Sequence, residues 1–435
     1  MNDTAATKPQ PIDCCIVGGG PAGMMLGLLL ASLGLEVTVL EKHADFLRDF
    51  RGDTIHPSTL EVMRELGLLE QLLALPHRQV ASLAARFVDA DARTTTFPVA
   101  DFSHLPTHCK FIAMMPQWDF LDLLARAAQD CPSFRLLRRT EAVDLLHASE
   151  DAASRVVGVR ARGPDGEVLV HARLVVGADG RRSMVSAKAA LTVDDIGAPM
   201  DVLWFSLSRR ERDGSDVVGT FAAGRIFVLI DRGDHWQCGY VIAKGGFDAI
   251  RACGLDAFRA DVVAVAPFAR GRVDTEIADW DHVKLLTVGV DRLRRWHRDG
   301  LLCIGDAAHT MSPVGGVGIN LAIQDAVATA NLLADALLSK APDRPTLAEL
   351  LRVQRRREWP VRVTQALQVF VQKRVIGRVL TGHRAVAPPW PLKLLARWPR
   401  LRRLPGRLVG IGVRPEHIAT IFRTDRRGPS GRADE

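Results

Sequence analysis

The sequence predicts an α/β chain: a β-α-β core interrupted by a mostly antiparallel sheet and followed by a helical C-terminal segment. Three observations predict it. The apolar run Ile12–Val17 leads straight into Gly18-Gly19-Gly20-Pro21-Ala22-Gly23 and a second apolar run through Leu33. From about 199 to 289 the residues alternate as half-buried strands do, at Val202–Leu207, Val217–Ile230 and Trp236–Ile242. From 346 to 420 the apolar spacing turns helical.

Each glycine of the first motif has a physical job. Gly18 permits the tight turn, Gly20 lets backbone N–H groups approach a pyrophosphate, and Gly23 lets the helix pack close to the strand. Phosphates then sit at a helix N-terminus, in front of Pro21 and Ala22, where the dipole and unpaired amides favour anions. Glu41 ends the next strand, Glu36–Leu40, where an acid accepts hydrogen bonds from ribose hydroxyls, and Lys42 follows it among the candidate contacts. Strand, glycine turn, helix, strand and acid in this order define a dinucleotide site.

The remaining elements follow in order. Arg51–Pro57 reads as a loop, and Ser58 caps a helix to Leu75 in which Glu61 completes a capping box. Residues 80–107 hold short strands, Trp118–Gln129 is helical by its apolar spacing, and a strand-rich stretch ends at Val176-Gly177-Ala178-Asp179-Gly180. Leu301–Ile304 is a buried strand before Gly305-Asp306, and Gly318–Leu338 is a long Ala-rich helix. The nucleotide domain is therefore expected in three pieces, 10–79, 108–192 and 290–345, with a substrate domain from 80–107 and 193–289. A helical region over 346–422 and a disordered tail over 423–435 complete the chain.

At 435 residues, two or three domains are expected. With 47% hydrophobic and 25% charged residues the composition is that of an ordinary globular protein and excludes a disordered chain. The seven cysteines form no Cys-x-x-Cys pair and no Cys/His array, so they are expected to be reduced thiols with no metal site. The N-terminus has no basic signal-like region, and the apolar run Met24–Leu35 falls short of the roughly 20 residues that span a bilayer. A cytoplasmic location is expected.

The net charge of +7 is unevenly spread. Between Lys393 and Arg407 lie Arg397, Arg400, Arg402 and Arg403 with no acid, interleaved with Leu392, Leu394, Leu395, Trp398, Leu401 and Leu404. Basic and apolar residues side by side suit an interfacial helix over 390–407 on anionic lipid, hence a peripheral membrane contact. The other reading is a solvated arginine face, which the prolines 388, 389, 391, 399 and 405 favour by cutting the segment. Nucleic acid fits less well, since no aromatic stacking platform accompanies the charge.

Gly305-Asp306-Ala307-Ala308-His309, then Pro313, Gly315, Gly316, Gly318 and Asn320, keeps backbone bare for close approach by a flat ligand. Together with the motifs at 18–23 and 179–180, this makes the chain resemble the FAD-dependent aromatic hydroxylases, the class A flavoprotein monooxygenases. The resemblance spans most of residues 10–340. It implies a Rossmann-like FAD-binding domain of the glutathione-reductase type, with Glu41 on the adenosine ribose and Arg51 and Gln117 on the pyrophosphate or ribityl region. Asp306 would contact the ribityl–pyrophosphate portion, and Asp179 would bridge towards the nicotinamide cofactor and FAD. The amides from Gly316 through Gly318, Ile319 and Asn320 open a helix whose positive end suits the negative charge of a reduced flavin, and Pro313 can form a rigid wall beside the ring. Two departures are visible: Ser186 stands where the family often has arginine, and Val317 where it often has glutamine.

The implied activity is hydroxylation or epoxidation of an apolar aromatic, quinone- or quinolone-like molecule by NADPH or NADH and O2 through a C4a-hydroperoxyflavin. Only one dinucleotide fingerprint is present, so the nicotinamide cofactor visits transiently. Candidates for activating the substrate are Tyr240 and His235 in the sheet region and His56 in the flavin domain. Trp204, Phe205, Phe221, Phe227, Val228 and Trp236 suit an aromatic acceptor, although alternation makes half of them core. The competing readings are a flavin-dependent reductase of isoprenoid lipids, a lipid-binding escort protein without enzyme activity, and a halogenase, whose Trp-x-Trp-x-Ile-Pro signature is absent. Oligomeric state is left open.

Overall fold

The computed structural model describes residues 10–47, 53–89, 91, 93–213, 218–382 and 387–422. Arg51 and the tail over 423–435 lie outside these residues.

Five parallel strands form the centre of the first sheet, in the order Leu301–Cys303, Gly166–Gly177, Ile12–Val17, Val37–Glu41, Phe134–Arg138. Ile12–Val17, in the middle, is buried from its second residue onward, which is why it reads as an unbroken apolar run and not an alternation. The long strand Gly166–Gly177 also pairs, through its first half, with Val156–Gly163, which continues into Glu141–His147. Helices Pro21–Ser32, Gln117–Gln129 and Gly318–Leu338 pack on this sheet in one hydrophobic core. Val314–Leu338 is apolar and long enough to cross a membrane, a run longer than the Met24–Leu35 stretch singled out by sequence; most of it is buried inside the fold, as the core helix of a sheet protein is.

The second sheet has seven strands, in the order Lys284–Leu286, Met200–Ser208, His235–Ala243, Arg225–Asp231, Val218–Ala222, Ser82–Val88, Thr94–Asp101. Every pairing is antiparallel except that of Val218–Ala222 with Ser82–Val88. One face packs against helices Phe247–Cys253 and Leu255–Val265. Those helices correct the expectation of strands throughout 199–289. Phe258, Val262 and Val265 recur at spacings of four and three, a helical period inside the strand-like stretch, and all three are buried.

The C-terminal region is helical. Leu347–Val371 begins at a true capping box, Thr346 with Glu349, and continues through residues 372–381. The capping box expected at Ser58 is not formed. Pro57 takes the first helical position, His56 is the cap without a side-chain bond, and this helix ends at Glu65 with a second running Leu69–Ala74. Glu61 instead binds Arg64 and the backbone N–H of His108.

A buried ion pair closes the far side of the first sheet. The Arg173 guanidinium donates to Asp13 at 2.9 Å and to the carbonyls of Leu337 and Ala341 at 2.7 and 2.9 Å. Lys340 and the Glu36 amide complete the shell of Asp13, and together they hold its carboxyl below the usual range against the opposing effect of burial. Arg173→Leu leaves that carboxylate without its buried partner and should destabilise the fold by about 3–5 kcal/mol; equilibrium urea unfolding that shifts by less than a third of this would refute the assignment.

Candidate active site

A cleft enclosing about 430 Å³ runs from the glycine turn of the first sheet to the second sheet. Its floor is the strand-to-helix turn at Gly18–Ala22, with Glu41, Lys42 and Gln117 alongside. Its middle is Asp179–Arg182 and Asp306, and its far end is Met311–Pro313, Gly316, Gly318 and Ile319 facing Trp204, Ile230, Gln237, Leu286 and Val288.

Bare backbone is obligatory at the turn. Gly18 sits at φ +106, where a Cβ would lie 2.4 Å from the Ala178 carbonyl oxygen, and a Cβ on Gly23 would lie 2.0 Å from the oxygen of Gly18. A Cβ on Gly20 would meet nothing within 4 Å, so this residue opens onto the cleft. The helix Pro21–Ser32 starts there with no side-chain cap, and its first N–H groups, which have no partner within the helix, are left to an anion. Glu41 Oε2 accepts from the Gly19 amide at 3.0 Å and Oε1 from the His43 amide at 3.0 Å. The carboxylate thus braces the turn and borders the cleft at once. These features fit the pyrophosphate and ribose of FAD.

Asp179 accepts from the Ser183 hydroxyl at 2.6 Å and the Val185 amide at 3.1 Å, while burial pushes its carboxyl above the usual range. Arg181 and Arg182 follow it onto the cleft wall, and Arg181 pairs with Asp306 at 3.6 Å. Both arginines were missed by sequence reasoning, although they directly follow the Asp179-Gly180 motif.

The loop bearing Pro313 is held from behind by a ladder of buried glutamines one to two turns apart on the C-terminal helix. Gln365 Nε2 donates to the carbonyls of Asp291 and Thr310, and Gln368 Nε2 to those of Ser312 and Val314 at 2.9 and 2.8 Å. Gln368 Oε1 accepts from the Ser312 amide, and Gln372 Nε2 donates to the Ser312 hydroxyl at 2.6 Å. From the front, a Cβ on Gly316 would meet Thr54 Oγ1 at 2.5 Å, and the Thr54 hydroxyl donates to the Gly316 carbonyl.

Three candidate residues are placed away from the cleft. Tyr240 points into the core between the second sheet and its helices, beside Phe227 and Phe258, and burial pushes its phenol up to about 12. Along His235–Ala243 the even positions face that core and the odd position Gln237 faces the cleft. His235 shares the parity of Gln237 but stands at the start of the strand, outside the cleft lining and half-buried, with Nδ1 2.7 Å from Asp234. His56 is fully buried, its Nδ1–H donating to the Val409 carbonyl, and burial lowers it to about 4, so it is neutral. The side chain of Asn320 is likewise spent on the loop behind the cleft, where Oδ1 accepts from the His56 amide and the Thr59 hydroxyl. Of the aromatic residues proposed for the acceptor, Trp204 lines the cleft, whereas Phe205, Phe227 and Trp236 fill the helix-side core.

A polar cluster that the sequence did not announce stands beside Trp204. Arg232 donates from Nε to Gln237 Oε1 at 2.8 Å and pairs with Asp53, and both partners line the cleft. Burial lowers the Arg232 guanidinium only to about 10, so it is cationic at neutral pH.

A fold with this cleft defines a flavoprotein, and comparison with known proteins identifies which kind. Residues 11–349 match the family described as FAD binding domain, and the chain belongs to it, among the class A FAD-dependent aromatic monooxygenases. It is 34% identical over 328 residues to 6-methylpretetramide 4-monooxygenase of Streptomyces rimosus, covering 75% of this chain and 76% of that one. It is 31% identical to rifampicin monooxygenase of Streptomyces venezuelae, covering 72% of this chain and 62% of that one. The p-nitrophenol 4-monooxygenase PnpA of Pseudomonas putida DLL-E4 superimposes with a TM-score of 0.73 at 18% identity, over 93% of this chain and 99% of that one, which shows the shared fold. The protein is an FAD-dependent monooxygenase.

Two predictions follow from the site's geometry. Gly23→Ala should leave the fold intact by circular dichroism yet yield colourless protein, because the added methyl and the Gly18 carbonyl cannot both keep their places; a variant that purifies with stoichiometric flavin would refute the steric assignment. For His56, the unfolded chain takes up a proton below about pH 6.5 that the folded chain refuses until about pH 4. Stability is therefore lost as pH falls through this window, by about 3 kcal/mol in all. In His56→Gln the urea midpoint should fall less steeply between pH 7 and 5 than in the parent; equal slopes would contradict a buried neutral imidazole.

Proposed function

We propose that this enzyme uses NADPH or NADH and O2 to hydroxylate an apolar, planar aromatic acceptor held between the Pro313 loop and the Trp204 face of the second sheet. The observation that carries this reading is the continuity of one cleft from the glycine turn to that face. On this reading the first sheet and its helices are the FAD-binding domain, of Rossmann-like glutathione-reductase type, and the second sheet is the substrate domain inserted into it. The relatives named as monooxygenases of 6-methylpretetramide and of rifampicin support an organic acceptor of that kind.

In this assignment Gly18, Gly20 and the amides after Pro21 and Ala22 receive the pyrophosphate, Glu41 and Lys42 border the adenosine ribose, and Gln117 and Asp306 border the ribityl portion. Bound FAD supplies hydride acceptance and oxygen activation. The chain's own contribution is positioning and exclusion of water. Gly316, Gly318 and Ile319 present the positive end of the helix Gly318–Leu338 to negative charge on the ring. Pro313 offers a rigid surface with no N–H to solvate, and the glutamine ladder fixes where it stands. Asp179, whose carboxyl burial raises above the usual range, lines the middle of the cleft, where a transient nicotinamide cofactor would approach.

On the acceptor side, Trp204, Leu286, Val288 and Ile230 give an apolar wall of the type that stacks on an aromatic ring. Gln237 and Asp53, tied to cationic Arg232, form a polar edge beside it. That edge suits an acceptor carrying a carbonyl or a phenolic oxygen, to which the Gln237 amide would donate while the ring lies against Trp204 and Arg232 offsets the Asp53 carboxylate. Activation of the ring falls to this cluster, since Tyr240, His235 and His56 are not among the residues that line the cleft.

The deciding experiment measures NADH and NADPH oxidation in air by the FAD-loaded protein, with phenols, quinolones and quinones as acceptors, while tracking peroxide. Oxidation stimulated by an acceptor with little peroxide released is the expected result; failure of every acceptor to stimulate turnover would overturn the aromatic assignment. Trp204→Ala should raise KM for the acceptor about tenfold while flavin content stays unchanged, as loss of about 1–2 kcal/mol of ring contact requires.

A further inference from the structure

We propose that residues 390–407 dock the enzyme on an anionic lipid surface. The segment folds as helix Trp390–Arg397, a turn Pro399–Arg402 and helix Arg403–Gly410, laid against the outermost strand of the second sheet, Thr94–Asp101. The prolines that argued against an interfacial helix start its pieces: Pro391 and Pro399 occupy first-turn positions, where the missing N–H costs nothing. Glycines seat the segment on the protein. A Cβ on Gly406 would lie 2.1 Å from the Asp101 carbonyl oxygen, and one on Gly410 2.6 Å from Leu105. Arg402 is used internally, donating to the carbonyls of Leu395 and Ala396 at 2.8 Å each, and fastens the turn to the preceding helix.

With its inner side committed, the segment turns a mixed face outward. Trp390, Trp398 and Leu404 are 75%, 58% and 73% exposed, far beyond what solvent contact alone favours for such side chains. Lys393, Arg397, Arg400, Arg403 and Arg407 are exposed among them, and no acid lies between 393 and 407. Asp101 approaches Arg403 from the protein side.

The occupant follows from this pairing of chemistries. A second copy of the chain would bring its own cations against these and be repelled. Nucleic acid would satisfy the arginines but leave Leu404 and Leu394 in water. A bilayer with anionic headgroups takes both, since indole rings rest at the headgroup level, leucines reach the acyl boundary and each cation gains from the surface potential. This inference is independent of the substrate assigned to the cleft.

The test is co-sedimentation of the full chain with vesicles of equal parts phosphatidylglycerol and phosphatidylcholine, against vesicles of phosphatidylcholine alone, at low and high salt. Binding to the anionic vesicles, released by salt and accompanied by a blue shift of tryptophan fluorescence, is expected. Lys393→Glu/Arg397→Glu/Arg400→Glu should weaken binding at least about a hundredfold, and Trp390→Ser/Trp398→Ser should abolish the blue shift. Neither variant should alter NADPH oxidation with a soluble acceptor. Absence of binding, equal binding to both vesicle types, or a charge-reversed variant that sediments like its parent would overturn the proposal, as would capture by duplex DNA without capture by vesicles.

Discussion

The carboxylate of Asp325 is the point on which the rest of the site depends. It sits fully buried on the long helix Gly318–Leu338, where burial alone would raise its pKa, yet His309 and Arg357 hold it below the usual range. Oδ2 meets His309 Nε2 at 2.6 Å and the Gly305 amide at 3.0 Å, and Oδ1 meets Arg357 Nε at 2.8 Å. Arg357 extends the chain of charge to Glu416 near the C-terminus. A buried charge is tolerable only while its partners stay in place. One side chain therefore binds the loop carrying Asp306, the helix that ends at the cleft, and the C-terminal helix into a single arrangement.

Around that anchor the two sheets divide the labour through the simplest property of a strand, its alternation. Leu203, Phe205 and Leu207 lie on the helix-covered face, whereas Trp204 lies on the cleft. The same sheet thus stores hydrophobic stability on one side and presents a selective surface on the other. Both the cleft wall around Trp204 and the strand that carries residues 390–410 belong to it.

What could be read in the sequence was what local geometry dictates. The glycine turn at 18–23 was legible because a strand, a tight turn and a close helix leave no room for a Cβ, whatever the rest of the molecule does. Asp179 and Asp306 were reached through the family resemblance and Pro313 through the glycine-rich loop that carries it, and all three line the cleft. Tyr240 could not be oriented, because which parity of His235–Ala243 faces the cleft depends on helices 247–265 that the strand-like texture concealed, and His235 has the cleft-facing parity but stands at the strand's start, beyond the cleft lining. His56 looked available only because its partner, the Val409 carbonyl, lies hundreds of residues away. The glutamine ladder was invisible for a similar reason: a glutamine on an amphipathic helix normally faces water, and nothing nearby says that Gln365, Gln368 and Gln372 face the backbone of residues 310–314.

That ladder has a consequence for how the molecule is made. The family match ends at residue 349, but the side chains that hold the loop of Pro313 come from residues 365–372. During synthesis the glycine turn, both sheets and the long helix can all be assembled while the ribosome still shelters the part of the chain that secures the loop of Pro313. The loop of Pro313 is then secured late, by a segment that lies beyond the end of the family match.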